Sequence, residues 1–451
     1  MPIVYQSVKK LSTKSKIEIL SLVLYFVLQF PGRIGADANT AMALMRGGSS
    51  TSNWTELYFW FLKILTFNGH YIALVSFIGF AFFVFSLHFL TDQLWNICSR
   101  RSPILYYIFM LSPIAGVYGM TVDHNLQATT GNIFLIGLLV KHYDQKRFTV
   151  GDYKLIVFAV LLSAMSFIGV AGLLGFFIGL LIARFPIRNL LGLFLVSVFV
   201  ILGSTWLPAA PRSLGFKFTP FLMDIRCLVP NPNVEISAQD LEFLATLGPL
   251  ETWKDPVSCI VAESSEFVRA SVTQDNQVDI IKIWLRLVRD NPRYILLAHV
   301  QRASVALPPG LSVPQPNGYE TNLVLPLGSN TPRWLHTWDG VVDDSRYQTE
   351  DIQKQPAILS YLQYIVIFPS IVLNNFSWFW GWGGLWLLVA SIVVMRRWGL
   401  RGMPFLMPIY VSHAFFFIMS PTPNPRYTYL AIVTGLVMLS VTKVKIGDQL
   451  E

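Results

Sequence analysis

Long apolar runs that recur along the chain are the feature that most limits its fold. A helix needs about 20 mostly apolar residues to cross a bilayer. Candidate spans lie at residues 15–31, 70–90, 103–120, 126–141, 154–170, 172–184, 189–207, 370–395, 403–420 and 427–443. Only 13% of the residues are charged and 53% are hydrophobic, whereas ordinary soluble domains carry about 25% charged residues. The sequence therefore predicts an all-α polytopic membrane protein with about ten transmembrane helices.

The basic residues predict how these helices are oriented. Short clusters of Lys and Arg lie at the ends of apolar runs, at 9–16, 99–101, 141–147, 183–188, 396–401 and 443–445. Lys and Arg near span ends favour the cytoplasmic side. With a cytoplasmic N-terminus and ten spans, every cluster falls inside. The net charge of +8 is thus expected to orient the chain in the membrane, and no nucleic-acid partner is predicted.

The run 154–184 allows either one tilted span or a tight hairpin of two. It is interrupted by the sequence GVAGLLG at 169–175. As a single span it would no longer let the basic clusters 183–188 and 396–401 fit together on one side. The positive-inside rule therefore favours a tight hairpin of two spans, with its break at the glycine-rich sequence.

Three regions follow from this topology. They are an N-terminal transmembrane module of about seven spans at 1–207, a small mixed extracytoplasmic segment at 208–369, and a C-terminal module of about three spans at 370–451. The first outer loop, 32–69, contains two stretches with helical spacing of apolar residues. They are predicted to be amphipathic surface helices, the second at 55–67.

The extracytoplasmic segment carries its own signals. The sequence 237–248 begins with a Ser and ends with a Gly, as capped helices do. A longer amphipathic stretch, 278–303, is interrupted at Pro292. Cys227 and Cys259 both fall in this segment, where an oxidising compartment would permit a disulfide; two unpaired thiols are the alternative.

Asp37 is the first acid after the first apolar run, in the sequence QFPGRIGADANTAM. It has three interpretations: part of a signal-peptide cleavage site at 36–38, the N-cap of the following helix, or a general base at the membrane surface. Cleavage is disfavoured, because loss of the first span would invert every later loop.

Two other outer turns carry candidate functional residues. TVDHN places Asp123 and His124 between two spans, either in a solvated turn or as groups that steer a phosphate or a cation such as Mg or Mn. PTPNPRYTYL places Arg426 and Tyr427 at the start of the last span, either as interfacial anchors or as a phosphate-binding pair. Asp123 is the metal-ligand candidate if a metal is present.

This layout resembles the GT-C class of membrane glycosyltransferases. The resemblance rests on an acid in the first outer loop before surface helices, a second acid in the next outer loop, a large outer segment, and a Pro-rich turn ending in PRY. The stretch IWLRLVRDNPRYILLAH at 283–299 is also similar to a helix of several bacterial members. The resemblance covers the layout of most of the chain, but its motifs are short.

The resemblance implies a sugar transfer from a polyprenyl-phosphate carrier to a hydroxyl of a glycan or lipid acceptor, on the extracytoplasmic side of a bacterial inner or plasma membrane. It implies that Asp37 is the catalytic base, that Asp123 is the second acid, and that Arg426 contacts the carrier phosphate, with Tyr427 and His124 beside it. Many members have paired acids in the first loop. Here the next acid after Asp37 is Glu56, which leaves metal dependence open.

Two other functions remain open. An O-antigen-type polymerase or ligase would depend on basic residues of the large outer segment, namely Arg212, Arg226, Arg293, Arg302 and Arg333. A transporter or flippase would be expected to have internal repeats and mid-membrane charges, which the sequence lacks. Outer-segment tryptophans could stack on sugars or fill a core; they are Trp253, Trp284, Trp334 and Trp338.

Overall fold

The computed structural model describes residues 11–34, 36–47, 55–98, 102–207, 214–254, 271–303, 306, 312–314, 320–322, 383–419 and 428–442. Several predicted site residues lie outside these ranges: Cys259, Arg212, Arg333, Trp334, Trp338, Arg426 and Tyr427.

The described residues are mostly helical. The first part forms α1 (Thr13–Leu28), α2 (Ala36–Met45), α3 (Glu56–Leu65), α4 (Ala73–Ile97), α5 (Pro103–Leu111), α6 (Pro113–Gly119), α7 (His124–Gln145), α8 (Val150–Ser163), α9 (Phe167–Ile182) and α10 (Ile187–Ser204). The middle part forms α11 (Leu214–Leu228), α12 (Ala238–Leu247), α13 (Leu250–Trp253), α14 (Gln277–Asp290) and α15 (Pro292–Arg302). The last part forms α16 (Gly383–Trp398), a 3-10 helix (Gly399–Gly402), α17 (Met403–Met419) and α18 (Tyr429–Leu439).

Two pairs of short strands accompany the helices. β1 (Arg33–Ile34) pairs in parallel with β2 (Thr121–Val122). β3 (Ser312–Pro314) pairs antiparallel with β4 (Glu320–Asn322).

Three helical stretches among the described residues are long and apolar enough to cross a membrane: α4, α10 and the continuous stretch Gly383–Met419. α10 exposes apolar side chains, with Phe199 77% and Leu202 58% exposed, as expected of a helix that lipid covers. The chain is thus a mostly helical protein with helices suited to a membrane. The predicted number of ten spans remains a prediction.

The apolar helices share one core. α7 lies at its centre and contacts α4, α8, α9, α17 and α18, and most of its side chains are buried. Because α7 is surrounded, its polar residues face other helices. That position matters for the site, since α7 begins directly after Asp123.

The prediction of one helix over 103–120 is wrong. The stretch forms α5 and α6, separated at Ser112, whose backbone is extended (φ −78°, ψ 153°). The cause is Pro113, because a proline lacks an N–H donor and disfavours helical geometry in the residue before it. The break brings the Leu111 carbonyl to the Tyr25 hydroxyl, which donates to it at 2.8 Å.

The run 154–184 forms two helices, α8 and α9, but the predicted break at 169–175 is wrong. The chain turns at residues 164–166 and α9 continues through the glycines. These glycines serve close packing instead. A Cβ on Gly175 would lie 2.3 Å from the Met407 carbonyl oxygen, and one on Gly179 would lie 2.8 Å from that of Pro404. Small residues let α9 approach α17 this closely, as is common between membrane helices.

The described part of 208–369 has a hydrophobic core of its own, formed by α11, α12, α14 and α15 around Leu222, Leu244 and Ile283. Two predictions are confirmed there. Ser237 caps α12, which ends before Gly248, and the amphipathic stretch breaks between α14 and Pro292.

Charged residues also lie within this core. The Asp224 carboxylate accepts hydrogen bonds from Trp284 Nε1 at 2.7 Å and from Arg302, and lies 3.0 Å from His299 Nε2. Cys227, beside Arg302, is disulfide-bonded. Cys98 is free. The third cysteine of the chain, Cys259, lies outside the described residues.

Candidate functional site

A two-residue strand pairing joins the two loops that carry the predicted acids. Arg33 pairs with Thr121 and Ile34 with Val122. Asp123 follows β2 directly, and Asp37 lies in the first turn of α2, shortly after β1. Because the two strands are parallel, the segments that follow them leave the pairing in the same direction. The two acids therefore arrive at the same end of the helical core.

Asp123 is the N-cap of α7. Its Oδ1 accepts a hydrogen bond of 2.7 Å from the amide of Asn125, and its backbone is extended, as an N-cap requires. The side chain of Asp123 is 4% exposed. The alternative of a solvated turn therefore does not apply to this residue.

α2 begins at Ala36, so Asp37 is a residue of its first turn and not its N-cap, contrary to the N-cap interpretation. Its carboxylate is at the end of the helix where backbone N–H groups favour negative charge. The side chain is 15% exposed. This combination holds a carboxylate near the surface while leaving it accessible to a reactant.

His124 lies between the two acids. Its Nδ1 is 3.9 Å from Asp37 Oδ2 and 3.7 Å from Asp123 Oδ1. Among the described residues, this buried nitrogen has no hydrogen-bond partner. We call Asp37, Asp123 and His124 the Asp37 cluster. Because the Nδ1 edge of the ring faces the carboxylates, a phosphate would have to approach His124 from its Nε2 edge.

Tyr58 was not predicted as a site residue. It lies in the first turn of α3, is buried, and its ring meets the His124 ring edge-on with centroids 5.5 Å apart. This contact brings the second surface helix of the loop 32–69 to the Asp37 cluster. The sequence signals only that α3 is amphipathic, so the contact with His124 could not be read from it.

The Asp37 cluster can accept and orient a proton. A carboxylate with partial access to solvent can take a proton from a hydroxyl, and a neighbouring imidazole can hold the carboxylate in position. Among the described residues, no group of three or more His, Cys, Asp or Glu side chains is arranged to hold a metal ion.

The first turn of α18 follows Arg426 and Tyr427 in the sequence and contacts α6. The Tyr429 hydroxyl donates to the Ile114 carbonyl at 2.8 Å. The centroid of the Tyr429 ring lies 3.6 Å from the centroid of the Tyr118 ring. Ile114 and Tyr118 belong to α6, which leads into β2. The first turn of α18 is thus fixed to the segment that precedes Asp123.

Other candidate residues have structural contacts. Trp253 is fully buried and its Nε1 donates to the Leu244 carbonyl, so of the two alternatives for this residue the structure shows a core position. Trp284 bonds to Asp224. Arg226 donates to the Thr252 carbonyl and Arg302 pairs with Asp224, and both are buried.

Three comparisons with known proteins were negative: no protein-family model, no curated protein and no solved structure matches the chain.

Proposed function

We propose that the chain is a membrane glycosyltransferase that moves a sugar from a polyprenyl-phosphate carrier to a hydroxyl of a glycan or lipid acceptor on the extracytoplasmic side. The observation that carries this proposal is the convergence of Asp37 and Asp123 on His124. The two acids come from separate loops, and nothing in the local sequence requires them to meet. Their meeting at one end of an apolar helical core fits a reaction at a membrane surface.

The reaction would be a single displacement. Asp37 takes the proton of the acceptor hydroxyl, and the oxygen attacks the anomeric carbon of the sugar. The bond from that carbon to the phosphate oxygen breaks, and the polyprenyl phosphate leaves with the electron pair. One displacement inverts the anomeric configuration. Asp123 and His124 would hold the Asp37 carboxylate in its orientation.

The leaving phosphate needs a cation, and Arg426 is the proposed one. Arg426 precedes Thr428 by two residues in the sequence, and Tyr429, the neighbour of Thr428, contacts α6. A guanidinium there could stabilise the charge that grows on the phosphate in the transition state. Tyr427 is proposed to assist it. A divalent cation such as Mg or Mn is not required by this scheme.

The test uses the purified protein in lipid vesicles with a polyprenyl-phosphate-linked sugar and an acceptor alcohol. Asp37→Asn keeps the size of the side chain but removes its basicity, and the expected loss of transfer rate is about 100-fold or more. Asp279→Asn is the matched control, because Asp279 is exposed and pairs with the exposed Lys282. Full activity of folded Asp37→Asn would refute the proposal.

The second acid can be tested without disturbing its helix. Asn caps helices about as well as Asp, so Asp123→Asn should keep α7 intact and remove only the charge. The expected loss of rate is smaller than for Asp37→Asn, about tenfold, since Asp123 acts through position. An effect larger than that of Asp37→Asn would exchange the two proposed roles.

The other candidate functions make different predictions. A polymerase or ligase that relied on Arg226 or Arg302 would need these side chains to be available, yet both are buried and hydrogen-bonded. A transporter would release its substrate chemically unchanged. Mass spectrometry of the recovered lipid and acceptor after incubation distinguishes all three cases.

A further inference from the structure

The turn between α3 and α4 exposes two aromatic side chains on an uncommon backbone. Phe67 and Asn68 have left-handed conformations, with φ of 50° and 61°. A positive φ is uncommon in residues other than glycine, and in a bulky residue such as phenylalanine it is an outlier. Phe67 and Tyr71 are 60% and 56% exposed. We call residues 66–71 the aromatic turn.

Hydrogen bonds fix the backbone of the aromatic turn. The Thr66 hydroxyl accepts from the Gly69 amide at 2.8 Å. The Thr66 carbonyl accepts from the amides of His70 and Tyr71, each at 3.0 Å. Residues that are held in sparsely populated conformations by their surroundings are concentrated at sites with a function. The aromatic turn is therefore a built structure, and what it presents to the outside is a pair of rings.

The two exposed rings lie against each other. The centroids of the Phe67 and Tyr71 rings are 6.1 Å apart, and the ring planes are inclined at 79–90° to one another, at 85°. Apolar surface of this kind is unfavourable in water. A rigid turn that holds two rings together at the surface indicates a partner that removes them from water.

The position of the turn identifies this partner. The aromatic turn leads into α4, which has 25 residues and is therefore about 37 Å long, whereas the hydrocarbon core of a bilayer is about 30 Å thick. A membrane-crossing α4 thus has both ends at the headgroup layers. Leu74, Phe77 and Phe85 of α4 are 39%, 38% and 54% exposed and lie on one face of the helix, as lipid-facing side chains do. The exposed rings continue this face into the layer where aromatic residues of membrane proteins are concentrated.

The aromatic turn is also fixed to the helix that carries Asp37. Gly69 has a φ of 90°, and a Cβ at this position would lie 2.7 Å from the Met42 carbonyl oxygen of α2. Glycine therefore permits the close contact between the turn and α2. Arg46, directly after α2, donates from Nη1 to the Gly69 carbonyl at 2.5 Å. The depth of the turn in the membrane consequently sets the depth of α2.

We propose that the aromatic turn is a membrane anchor, in which Phe67 and Tyr71 insert at the boundary between lipid headgroups and acyl chains. The rings lie among apolar groups there, while the Tyr71 hydroxyl stays with the headgroups and water. The anchor holds α2 and α3 at the lipid surface. It goes beyond the proposed glycosyl transfer, because it needs neither donor nor acceptor.

Fluorescence quenching of the full chain in lipid vesicles tests the anchor. One label is attached at His70→Cys, an exposed position inside the turn, and a reference label at Asp279→Cys, an exposed position on α14. Both are made in a Cys98→Ser background, which removes the free thiol. Lipids with a nitroxide at the headgroup should quench the label at position 70 about threefold more than the reference label, because an interfacial segment lies in that layer. Equal quenching of the two labels would overturn the proposal, and this comparison leaves both rings in place.

Phe67→Asn removes one ring and suits the backbone of the turn. Asparagine adopts the left-handed conformation more readily than phenylalanine does, so the turn should persist. Quenching of the label at position 70 should fall about threefold when the interfacial ring is lost. Val150→Asn is the matched control, because Val150 is 74% exposed but belongs to α8; it should leave the quenching unchanged. Undiminished quenching in Phe67→Asn would contradict the anchor.

Other occupants of the exposed rings give a different result. A second copy of the chain, or another segment of the same chain, would shield the label at position 70 from iodide in the aqueous phase without exposing it to the nitroxide lipids. That outcome would overturn docking to lipid. Asp37→Asn, which tests the transfer reaction, should leave the quenching unchanged because both rings remain. If the quenching is as expected but the protein transfers no sugar, the proposed function fails while the anchor stands.

Discussion

Two charged clusters lie at opposite ends of α1, and they differ in how the ring nitrogens of their histidines are paired. The Asp37 cluster follows the end of α1. At its start lies a second cluster, formed by Lys14, Glu18, His88, Asp92 and Tyr106 from α1, α4 and α5, which we call the Lys14 cluster. The pairing of each cluster indicates whether it serves stability or function.

The Lys14 cluster is closely hydrogen-bonded. Glu18 accepts from the Tyr106 hydroxyl at 2.6 Å and lies 2.7 Å from His88 Nδ1. His88 Nε2 is 3.1 Å from Asp92, and Lys14 pairs with Asp92. Each ring nitrogen of His88 lies at a carboxylate; a doubly protonated ring donates to both, and two positive charges then meet two negative ones. This balance is what a buried charged network needs to be stable.

The histidine of the Asp37 cluster is paired differently. His124 Nδ1 lies at 3.7 and 3.9 Å from two carboxylates, which is beyond hydrogen-bonding distance. Sites of function often retain such unsatisfied groups, because a reactant completes them. The comparison teaches that ionisable residues near a membrane are not sufficient evidence of a reaction; their pairing has to be examined too.

The largest effect on stability is expected at Glu18. Glu18→Ala leaves His88 Nδ1 and the Tyr106 hydroxyl without the carboxylate that they contact. Breaking a buried charged network in this way costs about 4 kcal/mol of unfolding free energy. Equilibrium unfolding in mixed micelles measures it. Asp279→Ala, at an exposed pair, should change stability by less than about 0.5 kcal/mol. If Glu18→Ala lowered the unfolding free energy no more than Asp37→Ala does, the distinction between the two clusters would disappear.

The Asp224 network extends the comparison to the segment outside the membrane helices. Burial opposes ionisation of Asp224, but the charge of Arg302 and the bonds from His299 and Trp284 outweigh it and lower its pKa. Its stabilisation is therefore present above the unfolded-state pKa of about 3.9 and is lost as pH falls through the lower folded-state value.

Asp224→Asn should accordingly lower the unfolding free energy by about 3 kcal/mol at pH 7. The difference from the wild-type protein should narrow below about pH 4, because the unfolded wild-type chain binds a proton at Asp224 there while the folded protein still holds it ionised. Thermal unfolding of both proteins across this pH range measures it. A difference that stays constant down to pH 2 would mean that packing, and not charge, is what Asp224 contributes.

His124 provides the reverse case, with a small effect on stability and a larger one on activity. As a positioning residue, its loss in His124→Ala should lower kcat about 100-fold, with the KM for the lipid-linked donor unchanged and stability within about 1 kcal/mol. Steady-state kinetics with varied donor separates the two parameters. A rise in KM alone would instead assign His124 to the donor phosphate, as the sequence resemblance implies.

The sequence predicts the elements of both clusters but not their meeting. Charge patterns at the ends of apolar runs predict that Asp37 and Asp123 lie on one side of the membrane. The pairing of Arg33–Ile34 with Thr121–Val122, however, is two residues long and has no period to detect. The Lys14 cluster did leave a signal: Lys14 and Glu18, and likewise His88 and Asp92, lie four residues apart. Helical spacing aligns each pair, yet only packing reveals that the two pairs face each other.

Breaks within apolar runs show the same limit. Pro113 is a local signal, because its missing N–H acts wherever it stands. Gly175 is not a local signal, since it is needed for close packing against the Met407 carbonyl, which belongs to a helix far along the chain. The glycine-rich sequence therefore predicts a turn, whereas the packing of α9 on α17 makes it the interior of a helix.

Tyr106→Phe gives the smallest and sharpest test of the comparison. It removes one oxygen from the Lys14 cluster without changing the packing of a fully buried ring. Glu18 then loses a charge-assisted hydrogen bond, which should cost about 2 kcal/mol. Tyr71→Phe, at an exposed ring, should cost less than about 0.5 kcal/mol. In the double variant Glu18→Ala/Tyr106→Phe, the second change should cost little, because its partner is already gone. Additive losses would show that the hydroxyl stabilises the fold through contacts other than Glu18, and the Lys14 cluster would then not be a single network.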